Sequence, residues 1–583
     1  MSWRDKYIIG LARRAGIEMK LENAYKYNWI VGQMNNIEGQ DRSSIETFNI
    51  LDSLYVSGNH DRNIELAWQH DAEALSKELS TLLLEKSAAE YFQQFVDARY
   101  QYKKRFVPIC KAVDKVICDT ISRMPILRKG QFAGGLIVQE HDSRLYPYGD
   151  LARRVLGYSH GNFKVGIDGQ LDSIVKGRDG EKWTKYVNVA GWKKEKVIRE
   201  RPKFDGADVR TTLAIPIQQV VDIVLREYIS QDTTIYGGTV TIMDVKTGAI
   251  RAMANIEHRA HENTAPIGEY YNLALGYRFE PGTILGAASL ISFLEGYGHM
   301  YESVKHPVDS MFPFETAINR IKSLGNAYYQ DNYQFVHSLI HDTKTSSISA
   351  MEGVSQSNPY VLAGLSFSNY GNLEGYLDLL NDLLLIEDIQ FDIKEDGGGK
   401  PRVAKPKVTD DYNYFLASLG CGYGIAMTPL QILTFYNVIA NKGVKVKPYI
   451  IESIEQNSQN VYRHTPVDEG IVLDENIISQ VDTIMRYAAV SGNCGICGLA
   501  KDNMAAISGH ALYYLEPWLR SGSTDGYVSS DGESRWNSSC VGYFPVDNPQ
   551  YSIICTIVTY KTDKQYPGND IPAKIVSDIY NNL

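Results

Sequence analysis

A hairpin of two apolar strands does most to narrow the folds that this chain can adopt. Residues 239–244 and 249–254 are rich in β-branched and apolar side chains, and residues 245–248 between them have the composition of a tight turn. Residues 551–560 form a further β-branched run, which is typical of a buried strand. Apolar side chains recur at helical spacing over residues 211–230, directly before the hairpin. This succession of helices and strands predicts an α+β domain.

The clearest single helix lies later in the chain, where Thr428 is a suitable N-cap and Pro429 stands at the first helical position. The helix is expected to run to Ala440, because Gly443 follows at a place where helices commonly end. Residues 571–582 are predicted to close the chain as another helix.

The N-terminal part has a different character. One apolar helical stripe is formed by Leu75, Leu79, Leu82 and Leu83. Helical composition continues with short breaks to about Met124, where Pro125 ends it. Residues 130–205 are mixed, with many Gly and Pro and a short β-like run at 135–139, and residues 394–410 read as a surface loop.

Length and charge limit the function classes. A chain of 583 residues is long enough for about two to four domains. Its formal net charge of −10 repels phosphate backbones, so we expect no nucleic-acid partner. No run reaches the roughly 18 apolar residues that would span a membrane, and the first residues lack the apolar core of a signal peptide. The chain as given is therefore expected to be soluble, with neither anchor nor signal visible.

The cysteine positions do not predict a framework of disulfides. There are seven, too sparse and irregular for a set of structural disulfides. Cys494 and Cys497 form a lone CxxC, which lacks the second pair of a structural zinc site. A local disulfide and chance spacing both stay open for this pair. We expect no metal and no cofactor.

Seven segments follow one another in the order found in a known family. They are residues 144–157, 166–169 with 177–180, 204–218, 243–253, 271–282, 422–443 and 541–549. Over roughly residues 130–560 the chain thus resembles class B penicillin-binding proteins, in particular division-type transpeptidases. The resemblance implies a transpeptidase-like domain over 206–583, with an antiparallel sheet flanked by helices. It also implies a pedestal or dimerisation module at 71–205, which leaves 1–70 as a diverged segment.

The resemblance also implies a cellular process, a location and a class of partners. The family acts in peptidoglycan synthesis and cell division on the periplasmic face of the cytoplasmic membrane, held by one N-terminal anchor. Its partners would be other proteins of cell-wall synthesis or division. Weak binding of a peptidoglycan stem peptide in the old cleft stays open.

The first catalytic motif of the family is degraded in this chain. The family uses Ser-x-x-Lys at a helix N-terminus, where a desolvated lysine takes the proton of the nucleophilic serine. Here Thr283 stands in place of the serine and Gly286 in place of the lysine, and no lysine lies between Lys246 and Lys305. The threonine methyl crowds attack, and glycine supplies neither base nor cation. Loss of an acid–base partner alone costs roughly 10²–10⁴ in rate.

The second motif, Ser-x-Asn in the family, keeps only its asparagine. Alignment on Asn358 puts Gln356 at the serine position, while Ser355 and Ser357 flank it and are expected to face elsewhere. Asn358 is explained equally well as a loop or cap residue and as a remnant of ligand binding.

The third motif, Lys-Thr-Gly on a strand, has two candidates. The favoured one comprises Ile507, Ser508, Gly509 and His510. The alternative comprises Arg520, Ser521, Gly522 and Ser523, which is closer in chemistry but nearer to residues 541–549 than the family places it. Two further matches to the motifs are rejected, because they do not stand in the order of the family. They are the Ser-x-x-Lys of Ser173 and Lys176 and the Lys-Thr-Gly of residues 246–248.

Two functions follow from these motifs. In the first, the protein is a pseudo-transpeptidase that serves as a scaffold or binding subunit of cell-wall assembly. In the second, it is an active transpeptidase or carboxypeptidase with Thr283 as nucleophile and His510 or Arg520 assisting. Because all three motifs depart together, we favour the first. A small-molecule sensor on the same fold would rest on fold analogy alone.

Overall fold

A computed structural model describes most of the chain. The described residues are 59–100, 106–111, 113–130, 134–138, 145–160, 163–189, 192–258, 267–300, 311–313, 347–368, 373–383, 385–395, 398–403, 412–491, 494–513, 535–560 and 570–583. The chain divides into two compact units, Met1–Leu145 and Tyr146–Leu583. Most of the predicted segment 1–70 lies outside the described residues.

The first unit is helical. Its helices are α1 Asn59–Leu83, α2 Ala88–Tyr100 and α3 Lys115–Ser122. The predicted leucine stripe is confirmed, because Leu75 and Leu79 are buried with Tyr91 in one apolar cluster. The strand expected at 135–139 is wrong for its described part: residues 135–138 have no regular structure. Gly135 adopts a φ of +74°, which interrupts an extended run.

A six-stranded antiparallel sheet organises the second unit. Its strands are β6 Ile235–Asp244, β7 Ile250–His258, β8 Ile267–Gly268, β17 Ala505–Tyr513, β18 Arg535–Phe544 and β19 Tyr551–Tyr560. Their spatial order is β17-β18-β19-β6-β7-β8. The predicted hairpin is confirmed as β6 and β7, and the predicted strand at 551–560 as β19. The two ends of the domain's sequence therefore meet in the middle of one sheet, where β19 pairs with β6.

Helices cover both faces of this sheet. On one face lie α7 Ile215–Gln231 and α16 Asp570–Asn582, with Leu225 and Val576 in one apolar cluster. The other face carries the larger cluster, which includes Leu290, Leu362 and Leu433. Since both faces are covered, β6 is buried over nearly its whole length, including the two threonines Thr239 and Thr241. The predicted fold class, an antiparallel sheet flanked by helices, is confirmed.

The helices of the second face come from the middle of the chain. They are α8 Leu273–Gly276, α9 Gly286–Met300, α10 Ala350–Ser355, α11 Pro359–Ser368, α12 Leu373–Asp382, α13 Tyr412–Gly420, α14 Pro429–Ala440 and α15 Glu475–Val490. The predicted start of α14 is confirmed as a capping box, in which Thr428 accepts from Gln431 N–H and the Gln431 side chain accepts in return.

Small strands and short helices complete the unit. They are α4 Arg153–Leu156, β1 Tyr158–His160, β2 Phe163–Val165, α5 Gly166–Gln170, α6 Asp172–Val175, β3 Glu181–Val189, β4 Trp192–Arg201, β5 Asp208–Thr211, β9 Met311–Pro313, β10 Ser347–Ser349, β11 Arg402–Val403, β12 Ile425–Ala426, β13 Val444–Val446, β14 Ile451–Gln456, β15 Gln459–Arg463 and β16 Asp468–Ile471. Two 3-10 helices, Gly282–Leu285 and Gly498–Ala500, precede α9 and β17. The described part of the loop predicted at 394–410 contains only the two-residue β11.

Residues 146–205 group with the second unit rather than with the first. A buried ion pair shows why: the Arg154 guanidinium contacts the Glu395 carboxylate in two hydrogen bonds of 2.7 and 2.8 Å. The Arg154 N–H also donates to Glu269 at 2.8 Å. The three segments predicted from the sequence, 1–70, 71–205 and 206–583, follow family modules, and that division stays a prediction.

Within the described ranges, no helix is both long enough and apolar enough to cross a membrane.

Candidate active site

The approach to the first motif is held by backbone pairing. Phe279 and Met427 exchange two hydrogen bonds of 3.1 Å each, and the Gly282 N–H donates to the Gly422 carbonyl at 3.0 Å. These contacts join two of the stretches that carry the family resemblance, although about 140 residues separate them in sequence. The 3-10 helix Gly282–Leu285 therefore has a fixed starting point.

This 3-10 helix lies against β17 with no space between the two backbones. Gly282 has a φ of +61°, and a Cβ there would overlap the carbonyl oxygen of His510. From the other side, a Cβ on Gly509 would overlap the backbone nitrogen of Ile284. Only glycine fits at either position, and the gap between the first and third motifs is closed.

Thr283, at the nucleophile position, is buried. Its side chain is 6% exposed, and within the described part of the chain its Oγ1 has no hydrogen-bond partner. The Tyr436 hydroxyl donates to the neighbouring Ile284 carbonyl at 2.5 Å and anchors the 3-10 helix from α14. A hydroxyl in this position is held rigidly but donates no hydrogen bond to a base among the described residues.

Gly286, at the position of the catalytic lysine, begins α9. A Cβ at this glycine would lie 2.8 Å from Cδ2 and 3.2 Å from Cδ1 of Leu362, which belongs to α11 and has 0% exposure. A lysine side chain would have to start in the volume that Leu362 fills. The site of the missing base is thus part of the apolar core.

Asn358 in the second motif acts as a helix cap. Its Oδ1 accepts the Val361 N–H at 3.3 Å at the start of α11, and Pro359 occupies the first helical position. Gln356, at the serine position, is exposed and lies at the C-terminal cap of α10, with its amide 3.4 Å from the Glu352 carboxylate. The cap interpretation of Asn358 has a geometric basis here.

Ser357 was expected to face elsewhere, and that expectation is wrong. Its Oγ donates to the Ser508 carbonyl on β17 at 2.9 Å, so the second motif reaches the third through this hydroxyl. Ser357 has a φ of +56°, which turns its side chain away from the direction of a regular helix end. By contrast, the Oγ of Ser355 bonds back to the Glu352 carbonyl at 2.9 Å, as expected for a residue outside the site.

The favoured third-motif candidate, residues 507–510, lies on β17 beside the 3-10 helix. Ile507 is buried in the apolar cluster, and Ser508 pairs in register with Cys540 on β18. The alternative candidate, residues 520–523, lies outside the described residues. The structure therefore brings the positions Thr283, Gly286, 356–358 and 507–510 together, whatever chemistry they retain.

The electrostatics of His510 do not suit a base at neutral pH. Burial lowers the pKa of His510 to about 4, because the charged imidazolium loses its hydration. The neutral ring could in principle accept a proton, but a conjugate acid with so low a pKa is a poor partner for a hydroxyl nucleophile. His510 pairs in register with Ser538 on β18.

The two rejected motif matches lie away from this cluster. Ser173 belongs to the four-residue helix α6, which contains no motif position. Lys246 lies in the turn between β6 and β7, and its ammonium group donates to the Asn441 side chain at 3.1 Å. Neither residue has a described contact with the 3-10 helix or β17.

Two residues that matter to the site were missed by the sequence analysis. Leu362 belongs to a generally apolar helix, and nothing in its sequence neighbourhood indicates contact with Gly286. Ser357 offers one signal in hindsight: the Asn-Pro that follows it marks a helix start, and the residue before such a cap commonly has an irregular backbone.

Comparisons with known proteins bear on the family of this chain. Residues 386–581 match the family Transpeptidase, the penicillin binding protein transpeptidase domain. That stretch includes β17 but not Thr283 or Gly286. The peptidoglycan D,D-transpeptidase FtsI of Buchnera aphidicola subsp. Baizongia pistaciae is 21% identical over 502 residues, which cover 84% of this chain and 77% of that relative. Penicillin-binding protein 2B of Streptococcus pneumoniae is 23% identical over 450 residues, which cover 73% of this chain and 61% of that protein.

A solved structure of another penicillin-binding protein shares this fold. The crystal structure of penicillin-binding protein 2X from Streptococcus thermophilus superposes with a TM-score of 0.62 at 17% identity, covering 88% of this chain and 73% of that one. This likeness shows the fold. Together with the sequence matches, it confirms the resemblance to class B penicillin-binding proteins.

Proposed function

We propose that this chain, which resembles the class B penicillin-binding proteins, serves peptidoglycan synthesis and cell division as a non-catalytic scaffold or binding subunit. The observation that carries the proposal is the packing at Gly286. A lysine in this place would be the general base, and here Leu362 fills its volume. The base is absent, and a side chain in its place would first have to displace the end of the Leu362 side chain.

The contact between the 3-10 helix and β17 supports the same conclusion. An acyl-transfer site needs room for the scissile group between the nucleophile and the donors of the oxyanion hole. Gly282 and Gly509 bring the backbones of the 3-10 helix and β17 into direct contact next to Thr283.

The remaining polar groups are committed to structural roles. Asn358 caps α11, and Ser357 ties the second motif to the Ser508 carbonyl. The low pKa of His510 removes the most obvious substitute base. These contacts connect the motif positions on the sheet to those in the helical layer, which supports a structural role for them.

One observation favours a second candidate, an active transpeptidase or carboxypeptidase with Thr283 as nucleophile. The Thr283 hydroxyl is buried without a described partner, and an unsatisfied buried hydroxyl costs about 1–3 kcal/mol. Such a cost can mark a site held for function. The closed gap and the low pKa of His510 weigh against this reading.

As a scaffold, the protein would act through its surfaces on other proteins of cell-wall synthesis or division, at the periplasmic face of the cytoplasmic membrane. This placement follows the family resemblance, as does weak binding of a peptidoglycan stem peptide. The proposal requires no metal, cofactor or nucleic acid.

Intact-protein mass after incubation with a reactive penicillin tests the chemistry. We expect no stoichiometric mass gain, while an active class B protein treated in parallel acylates fully. A gain that is lost in Thr283→Ala would overturn the scaffold proposal and establish Thr283 as a nucleophile.

Stepwise restoration of the first motif tests whether Leu362 blocks the position of the base. The double variant Thr283→Ser, Gly286→Lys restores the motif residues but leaves Leu362 in place, so we expect it to stay unacylated. Adding Leu362→Ala provides volume for the lysine. Full acylation of the double variant would show that Leu362 does not block the base position.

A cellular test addresses the scaffold role directly. In the organism that carries the gene, replacement by Thr283→Ala is expected to support growth and division like the wild type, while deletion of the gene impairs them. A Thr283→Ala strain that behaves like the deletion, with the variant protein present at normal level, would contradict a non-catalytic role.

A further inference from the structure

Two buried cysteines on separate elements meet beside the central sheet. The Sγ atoms of Cys494 and Cys540 lie 3.7 Å apart, and the two residues are 1% and 0% exposed. Cys540 is in the middle of β18, whereas Cys494 lies in the turn between α15 and the 3-10 helix Gly498–Ala500. The contact therefore joins a turn to the sheet over 46 residues of sequence.

The surroundings distinguish this pair from the other thiols of the second unit. Cys497, the other member of the CxxC, is exposed, and its backbone N–H donates to the Ser577 hydroxyl at 3.2 Å. Cys555 opposes Cys540 on β19, so Cys540 has two thiol neighbours. Cys421 lies apart, with its Sγ donating to the Pro359 carbonyl at 3.1 Å.

We propose that Cys494 and Cys540 are a redox modification site, which closes to a disulfide that fastens the turn to β18. The sulfur atoms must approach from 3.7 Å to the bonded distance of about 2.05 Å, a movement that a turn residue can make more easily than a central strand. The inference does not depend on the proposed function, because it uses no motif position of the active site.

The oxidant is a disulfide, either a small molecule or a protein. The Cys494 thiolate attacks it, forming a mixed disulfide and releasing one thiol. Cys540 then loses its proton and attacks the Cys494 sulfur, which forms the Cys494–Cys540 bond and expels the second thiol. Two protein thiols are oxidised and one disulfide is reduced to two thiols, so electrons and protons balance.

The rate of disulfide formation is limited by the access of the oxidant to the two buried thiols. The hydrogen bond to Cys494 and burial raise the pKa of Cys540, so its thiolate is scarce while the turn is closed. Exchange therefore requires the turn carrying Cys494 to open. Once formed, the disulfide is shielded from reductants by the same burial.

Peptide mapping of the whole protein under non-reducing conditions tests the pairing. Trypsin places Cys494 and Cys497 in residues 487–501, and Cys540 and Cys555 in residues 536–561. After equilibration with oxidised glutathione and alkylation of free thiols, we expect these two peptides to be cross-linked. A loss of two hydrogens within either peptide alone would assign the Cys494–Cys497 or the Cys540–Cys555 pair and overturn the proposal, as would a fully reduced chain.

Matched variants identify the sulfurs and test the consequence. Cys497→Ser combined with Cys555→Ser is expected to keep the cross-link, whereas Cys494→Ala is expected to abolish it. Oxidation should raise the melting temperature of the wild type and leave that of Cys494→Ala unchanged. A cross-link that persists in Cys494→Ala, or one lost in the double variant while that variant melts cooperatively, would contradict the assignment.

Discussion

Replacement of Gly282 by alanine is the sharpest test of the closed gap between the 3-10 helix and β17. The residue has a φ of +61°, where a side chain costs about 1–2 kcal/mol. The new Cβ would also overlap the His510 carbonyl oxygen, which belongs to a strand and cannot turn aside. Displacing packed backbone in this way adds about 1–3 kcal/mol. We expect Gly282→Ala to lower the free energy of unfolding by about 2–5 kcal/mol in total.

Gly286→Ala is the matched control in the next turn. Its φ is −56°, so alanine is unstrained and gains about 1 kcal/mol of helix propensity over glycine. The Cβ meets only the end of the Leu362 side chain at 2.8 Å, and moving that side chain costs about 1–2 kcal/mol. The two terms nearly cancel, so we expect a change of no more than about 1 kcal/mol.

Urea denaturation followed by circular dichroism measures both variants against the wild type. The midpoint should fall clearly for Gly282→Ala and hardly at all for Gly286→Ala, with similar slopes for all three proteins. If Gly282→Ala cost no more than Gly286→Ala, the 3-10 helix and β17 would not be in backbone contact. The first and third motifs would then not be closed against each other.

Three further expectations concern the same unit. Thr283→Val replaces a buried hydroxyl that has no described partner, so it should raise the free energy of unfolding by about 1 kcal/mol; a loss of similar size would show that the hydroxyl is hydrogen-bonded. Arg154→Ala leaves the Glu395 carboxylate buried without its partner and should lower the free energy of unfolding by about 3–5 kcal/mol. The control Arg153→Ala breaks an exposed ion pair and should lower it by less than about 1 kcal/mol. Denaturation midpoints measure both changes. The pKa of His510 is lowered from 6.5 to about 4, so its contribution of about 3 kcal/mol to stability is present above pH 6.5 and is lost as the pH falls through 4. His510→Gln should flatten that part of the stability–pH curve, and an unchanged curve would show that the ring titrates normally.

Local signals in the sequence were sufficient for the regular elements. The turn between β6 and β7, the cap at Thr428 and the β-branched run of β19 each depend on neighbouring residues, and each was found where it was predicted. The family resemblance likewise rests on short segments in a fixed order. It was enough to identify the fold before any contact was known.

The state of the active site could not be predicted in the same way. The packing of Leu362 on Gly286 and the approach of Gly282 to His510 join residues that are far apart in the chain. A glycine in the lysine position shows that the base is missing, but not what fills its space. The short apolar run at 135–138 failed for a related reason: strand composition alone does not provide a strand to pair with.

The packing of the 3-10 helix on β17 has a consequence for the edge of the central sheet. β17 is the end strand of the sheet in the described part of the chain, and an uncovered end strand is a template on which another chain can pair. Here the carbonyl groups of Ser508 and His510 face the Ser357 hydroxyl and the Gly282 backbone. Part of the free edge of β17 is thereby covered from within the molecule. Variants that loosen these two contacts should show their effect first as aggregation through β17, before any loss of helical content.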